Sequence, residues 1–183
     1  VSVVGGKLTS CRRMPQATLD LATGILASRN GRFYDPCITG WKLFPGSEGA
    51  VGDGDLDSAQ ELDGDVAKHL RAVYGVRAGL ILRKIDQIPT LGRPYAPGCP
   101  VTPAEVIHAV EREGAVRLAD LLFRRFHPLM MEARMRSAQG KAVAEGASRL
   151  MASWLGWTEE RRFKELVNVT DEWERDFWVP RPD

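Results

Sequence analysis

From about residue 58 onward, apolar residues recur at helical spacing. Val66, Leu70, Val73 and Tyr74 share one helical face, and Gly75 supplies a stop. VRAGLILRKIDQI predicts a second short helix before Pro89, and LGRPYAPGCP, with three prolines, predicts a rigid loop. TPAE at Thr102–Glu105 is a capping box with proline at the first helical position. Behind it Val106, Ile107, Val110, Leu118, Leu121 and Leu122 predict one long helix closed by Pro128, with His108, Glu111, Arg112 and Arg124 largely on its outer side. A further helix places Val143, Ala147, Leu150, Met151 and Trp154 on one face and ends at Gly156. The last begins at Thr158, with Glu159 and Glu160 where the helix dipole favours anions, and is expected to bury Phe163, Leu166, Val167, Thr170 and Trp173. These elements predict a helical bundle from about 58 to 177.

The first third is written differently. Val1–Val4 has the character of a buried strand end, too short to form a sheet alone. Gly5 and Gly6 turn the chain, Thr9 or Ser10 can cap, and a helix is predicted to about Ala27. With Ser10 as cap, Pro15 falls beyond the first turn, so the helix must kink or start late. Residues 28–65 are loop-like, and EGAVGDGDLDSAQELDGD carries seven carboxylates and no base, which favours a solvated connector. The predicted class is mainly α, with a helical bundle preceded by a short strand–turn–helix.

Composition narrows the functional classes. A chain of 183 residues that is 44% apolar can bury a sizeable core. A net charge of +1 argues against a dedicated nucleic-acid binder. No apolar run approaches the roughly 18–20 residues of a membrane span, and no signal peptide is visible at the N-terminus. Cys11, Cys37 and Cys99 are odd in number and widely spaced, as in a reduced cytoplasmic protein, and form no metal or iron–sulfur pattern. The first residue is Val, as in an excised piece.

Few residues carry chemistry. His69, His108 and His127 have no ligand spacing, so no metal site is expected. Asp53, Asp55 and Asp57 open like a calcium loop, but Ser58 and Gly64 stand where glycine and a bidentate glutamate are needed. Arg124 and Arg125 suit a helix C-terminus, or, with Arg117, Arg134, Arg136 and Lys141, a surface facing acidic lipid. GGKLTS is the sharper candidate. Gly5 and Gly6 let backbone approach a ligand, the following helix offers unpaired N–H groups, and Lys7 adds a mobile cation. Such a turn suits a phosphate or the anionic edge of a reduced flavin, and equally a plain turn with an exposed lysine.

The order of segments resembles that of a known family. VVGGKLTSCRRMPQATLDLA is similar to the VxGGKLTTYRxMAExAxD stretch near the end of the flavin domain in FAD-dependent glycerol-3-phosphate dehydrogenases. FPGSEG resembles the LPG turn that follows, HLRAVYGVRA the segment around its Tyr-Gly pair, and PVTPAEVIHAVEREGAVRLADLLFRRF its AEV helix ending in two arginines; LGWTEERR matches a further family ending. The similarity runs in order down to about residue 167.

The resemblance implies the C-terminal part of an enzyme that oxidises sn-glycerol 3-phosphate to dihydroxyacetone phosphate through FAD. Such enzymes pass electrons to quinone at the membrane, or to oxygen in the oxidase branch. Residues 1–28 would end the FAD domain, 29–57 would be a loop-rich linker, and 58–183 the helical cap domain. Gly5, Gly6, Lys7, Leu8 and Thr9 would lie against the flavin, Lys7 being the catalytic contributor and Arg12 a support. Ser10-Cys11 departs from the usual Thr-Tyr, Pro15 replaces a helix-friendly residue, and Phe126-His127-Pro128 stands for Thr-Arg-Leu. Three cysteines cannot supply the tail of the iron–sulfur branch. No GxGxxG turn follows a strand, so the chain alone is expected to hold no FAD and to be inactive. Peripheral membrane contact and a homodimer are compatible with this reading. The rival is a stand-alone helical interaction module, for which Trp173 and Trp178 could mark a surface.

Overall fold

The computed structural model describes residues 1–44, 47, 62–126, 135 and 137–176. The acidic run through Asp53, Asp55 and Asp57, most of the FPGSEG turn, His127, Pro128, Arg134, Arg136 and Trp178 lie outside the described residues. The chain divides into two units, Val1–Glu48 and Gly49–Asp183.

In the first unit a 3-10 turn, Leu8–Ser10, leads into α1, Arg13–Asn30. The helix starts late, which places Pro15 in its first turn, where its missing N–H costs nothing. It ends at Gly31, whose left-handed φ of 66° lets its N–H reach the carbonyl of Ala27. Val1, Val3 and Val4 are exposed, and among the described residues there is no β-strand, only an isolated bridge between Ala96 and Cys99. A strand exists only through a ladder of shared N–H and C=O groups, and Val1–Val4 meets none here.

The second unit is helical. α2, Gly64–Tyr74, is capped by Asp63, whose carboxylate accepts the Asp65 N–H at 2.9 Å, and stops at Gly75 with φ 53°. A 3-10 turn, Gly75–Arg77, joins it to α3, Ala78–Gln87, and another, Pro89–Gly92, opens the proline-rich loop. α4, Pro103–Arg112, begins at the predicted capping box. α5, Ala138–Leu155, ends at Gly156, and α6, Glu159–Asp176, follows at once. No helix among the described residues is long and apolar enough to cross a membrane.

Two hydrophobic clusters share α4 as a wall. Val66, Leu70, Ile81, Leu82 and Ile85 of α2 and α3 close on Ala104. Val106 and Ala109 instead join Leu118, Leu121, Leu122, Val143, Ala147, Met151 and Val169. Wrapped on both sides, α4 buries every residue from Ala104 to Ala109. His108, placed on the outer side by periodicity, is therefore inside.

Four other expectations change. The long helix to Pro128 is two pieces: α4 stops at Arg112, Gly114 takes φ 67°, and a π-helical turn forms at Asp120–Arg125. Glycine is the residue that makes this break inexpensive, because the left-handed region costs it little. Val73 is more than a third exposed, and the buried face of α2 includes His69. Trp154 is 48% exposed, since α5 packs through small residues (Gly140, Ala144, Ala147 and Ser148) that let neighbouring backbones come close. On α6, Phe163 and Val167 are each 58% exposed and Thr170 is also outside, whereas Arg162, Glu165, Val169 and Trp173 are buried. The packed face is turned by about one residue, roughly 100°.

A mid-helix glycine in α5 has a packing reason. A Cβ on Gly146 would lie 2.4 and 2.5 Å from two ring carbons of Tyr95. Gly146→Ala is therefore expected to destabilise by about 1–3 kcal/mol through overpacking, despite the better helix propensity of alanine. The urea midpoint tests this, and an unchanged or raised midpoint would mean that the Tyr95 ring moves aside freely.

Candidate functional site

The Gly5–Thr9 segment is exposed and held from one side. Lys7 has extended backbone, and its carbonyl accepts both the N–H of Ser10 at 2.9 Å and the Ser10 hydroxyl at 2.8 Å. The Cys11 N–H closes the turn on the carbonyl of Leu8 at 3.2 Å. Thr9 and Ser10 thus lie inside the 3-10 turn rather than capping α1.

The two glycines serve different ends. Gly5 has φ 75°, and the space a Cβ would fill is empty, so a flat ligand can approach its backbone. Gly6 has φ 132°, and a Cβ there would lie 2.3 Å from the Met14 sulfur. Met14 therefore backs the turn, and its sulfur is also 3.4 Å from the Ser10 hydroxyl. Val3, Lys7, Leu8, Met14, Pro15 and Leu19 line an open groove of about 680 Å³ beside the turn. Lys7 forms no ion pair among the described residues, so its ammonium is available to an anion. Gly5, Gly6, Lys7, Leu8 and Thr9 stand in one short segment, and all but Thr9 line that groove. Arg12 is turned to its own helix, donating to Gln16 at 2.9 Å.

Cys37 is half-buried, with its sulfur 3.0 Å from the Thr39 hydroxyl. Hydrogen bonds from the Thr39 side chain and backbone hold its thiol below the ordinary range, with a smaller contribution from Arg12. Among the described residues no three His, Cys, Asp or Glu side chains are grouped to hold a metal.

The bundle contains polar constellations that periodicity does not reveal. Glu105 has no exposed surface: one oxygen is 2.7 Å from His69 Nε2, and the other accepts the Thr102 N–H at 2.8 Å and hydroxyl at 3.0 Å. Glu165 accepts the backbone N–H of Leu118 at 3.0 Å, while Asp120 accepts the N–H groups of Val116 and Arg117. Carboxylates thus satisfy the free donors where the second half of the broken helix begins. Buried Arg162 reaches Glu145 at 3.0 Å, Ser148 at 3.2 Å and Glu159 at 3.0 Å. These are binding groups for the fold, all turned to protein partners. Gly114 was the only signal in the sequence for the break they stabilise.

Comparison with known proteins agrees with the order of segments. A family model described as the C-terminal domain of alpha-glycerophosphate oxidase matches residues 37–162. A glycerol-3-phosphate dehydrogenase of Synechocystis is 30% identical over 171 residues, covering 91% of this chain and 29% of the relative. A probable mitochondrial glycerol-3-phosphate dehydrogenase of Caenorhabditis elegans is 29% identical over 91% of this chain and 23% of its own length. A glycerol-3-phosphate dehydrogenase of Mycobacterium leprae is 29% identical over 91% of this chain and 28% of its own. The chain therefore spans less than a third of the length of these relatives.

Proposed function

Because this chain belongs to the family of the C-terminal domain of alpha-glycerophosphate oxidase, we propose that it is the C-terminal part of a flavoprotein that oxidises sn-glycerol 3-phosphate to dihydroxyacetone phosphate. Quinone is the proposed electron acceptor, reached by peripheral contact with a membrane, and a homodimer is compatible with the assignment. Residues 1–28 are assigned to the end of the FAD domain, 29–57 to a linker and 58–183 to the cap. The observation that carries the reading is the Gly5–Lys7 turn: open space over Gly5, a backed Gly6 and an ammonium without an ion-pair partner among the described residues.

These residues fit a flavin on physical grounds. The missing Cβ of Gly5 admits a flat ring to the backbone, and Lys7, Leu8 and Thr9 follow with an ammonium, an apolar side chain and a hydroxyl. FAD, when bound, supplies the acceptor for the two electrons removed from the secondary alcohol. The turn contributes position and charge: Gly5 and Gly6 set the approach distance, Leu8 excludes water, and Lys7 holds either the flavin edge or the substrate's phosphate. The rest of the site, including the pyrophosphate turn, is assigned to the portion of such an enzyme outside this chain, so the chain by itself is expected to be inactive.

The test is anaerobic addition of glycerol 3-phosphate to the longer protein that contains this chain, followed by its visible flavin spectrum. Bleaching of a stoichiometric flavin by glycerol 3-phosphate, and not by other polyol phosphates, is expected. A protein without flavin, or a flavin left oxidised, would overturn the assignment. Reoxidation by a soluble quinone against oxygen, with peroxide measured, separates the two acceptors.

A further inference from the structure

His108 is buried to 2% exposure near the C-terminal end of α4. Its Nε2 lies 3.8 Å from a carboxylate oxygen of Glu113, whereas its Nδ1 has no hydrogen-bond partner among the described residues. The Tyr74 ring stands edge-on to the imidazole, centroids 5.5 Å apart and planes at 83°. With the proton on Nε2, the imidazole points its N–H at Glu113 and leaves a bare lone pair at Nδ1. A second proton would have to sit at Nδ1, where no group among the described residues accepts it.

We propose that His108 is an acid-operated latch: uptake of one proton by its imidazole opens the corner where the end of α2, the Gly75–Arg77 turn and the end of α4 meet. This does not depend on the activity proposed above. Every element around the ring contributes to its charge environment. Tyr74 comes from α2, Arg77 from the turn, and Lys84 from α3, where it is paired to Glu111 at 2.7 Å. Glu105, Glu111 and Arg112 come from α4, and Glu113 follows it. Arg125 of the π-helical turn donates through Nε to the Glu113 carbonyl at 2.9 Å. The corner thus joins α2 to α4 through one buried ring, and α4 to the π-helical turn through Glu113, the residue after it.

The direction follows from burial. Burial holds the His108 pKa below its ordinary 6.5, and Lys84, Arg77 and Arg112 push the same way against Glu111. The closed state therefore refuses a proton that the open state accepts. Stability from His108 is complete above pH 6.5 and is lost as pH falls through that value toward the closed-state pKa. Glu113 acts with the opposite sign: burial raises its pKa above 4.5, so acidification relieves a cost at that carboxylate. Its replacement by glutamine removes this offset together with the carboxylate beside Nε2, so the histidine slope is kept or steepened.

The experiment is hydrogen exchange on the protein from pH 7.5 to 5, corrected for the intrinsic exchange rate, comparing Gly75–Ala78 and Gly114–Ala115 with α5. Below about pH 6.5 the opening constant of these amides is expected to rise by up to tenfold per pH unit, the limit for one proton. α5 should stay protected. His108→Phe keeps the ring packing on Tyr74 and should flatten the rise, and Glu113→Gln should keep or steepen it. An equal rise in His108→Phe, or parallel opening of α5, overturns the latch. If His108→Phe does not fold, the ring titration of His108 in the unaltered protein decides: a midpoint below 6.5 supports the latch, and one at or above 6.5 overturns it.

Discussion

Replacement of Glu105 by alanine is expected to lower the unfolding free energy by about 3–5 kcal/mol, the usual cost of removing one partner of a buried pair. The carboxylate is fully buried and occupied at both oxygens, by His69 on one side and by the N–H and hydroxyl of Thr102 on the other. Its loss would remove the glutamate half of the capping box at the α4 N-terminus and leave the buried His69 Nε2 without its carboxylate partner. Domains of this size are commonly stable by about 5–15 kcal/mol, so this one residue decides much of the total. Glu105→Gln keeps the volume, but its amide can accept on one side only. About 1–3 kcal/mol is expected for the donor left unpaired. Urea unfolding of Glu105→Ala, His69→Ala and the double variant measures the coupling. A loss below about 1 kcal/mol in Glu105→Ala would show that the His69 contact and the cap are replaceable by water.

The second large effect concerns activity in the flavoprotein proposed above to contain this chain. Lys7→Met is expected to lower kcat/KM for glycerol 3-phosphate by about 10²–10³, the range for losing one preorganised charged or hydrogen-bonding group at a reacting centre. Methionine keeps the stem and removes only the charge. Bound flavin should persist if Lys7 faces the substrate, since Gly5 and Gly6 still set the backbone approach. If flavin content falls in parallel with activity, Lys7 holds the cofactor instead. Activity within about threefold of the unaltered enzyme, with full flavin, would remove Lys7 from the site.

Local rules were reliable where the chain answers to itself. Gly75, Thr102–Glu105 and Gly156 each begin or end a helix by their own backbone or side-chain chemistry, and each can be read from neighbours a few residues away, whereas the Asp63 cap and the Gly31 stop were not read in advance. The late start of α1 likewise follows from Pro15, which an α-helix accommodates only in its first turn. Gly5, Gly6 and Lys7 were singled out on equally local grounds, as a turn that suits a ligand or a plain change of direction.

Periodicity failed where a helix has more than one neighbour or a charged partner. α6 was expected to bury Phe163, Leu166, Val167, Thr170 and Trp173, of which Trp173 is buried and Leu166 packs against the core. It turns instead to seat Arg162 on Glu145 and Ser148, and Glu165 on the N–H of Leu118, leaving Phe163 and Val167 in solvent. Hydrogen bonds between residues 14 to 47 positions apart leave no trace in local spacing, yet each unpaired buried charge would cost more than exposing one apolar side chain. Thus the sequence alone determined which segments are largely helical and where several of them start or stop, since those depend on backbone conformation within a few residues. Only the tertiary structure decided which face each helix buries, that α4 is enclosed on both sides, and that Glu105, His108, Arg162 and Glu165 lie inside, since a side chain's surroundings are set by elements far away in the chain.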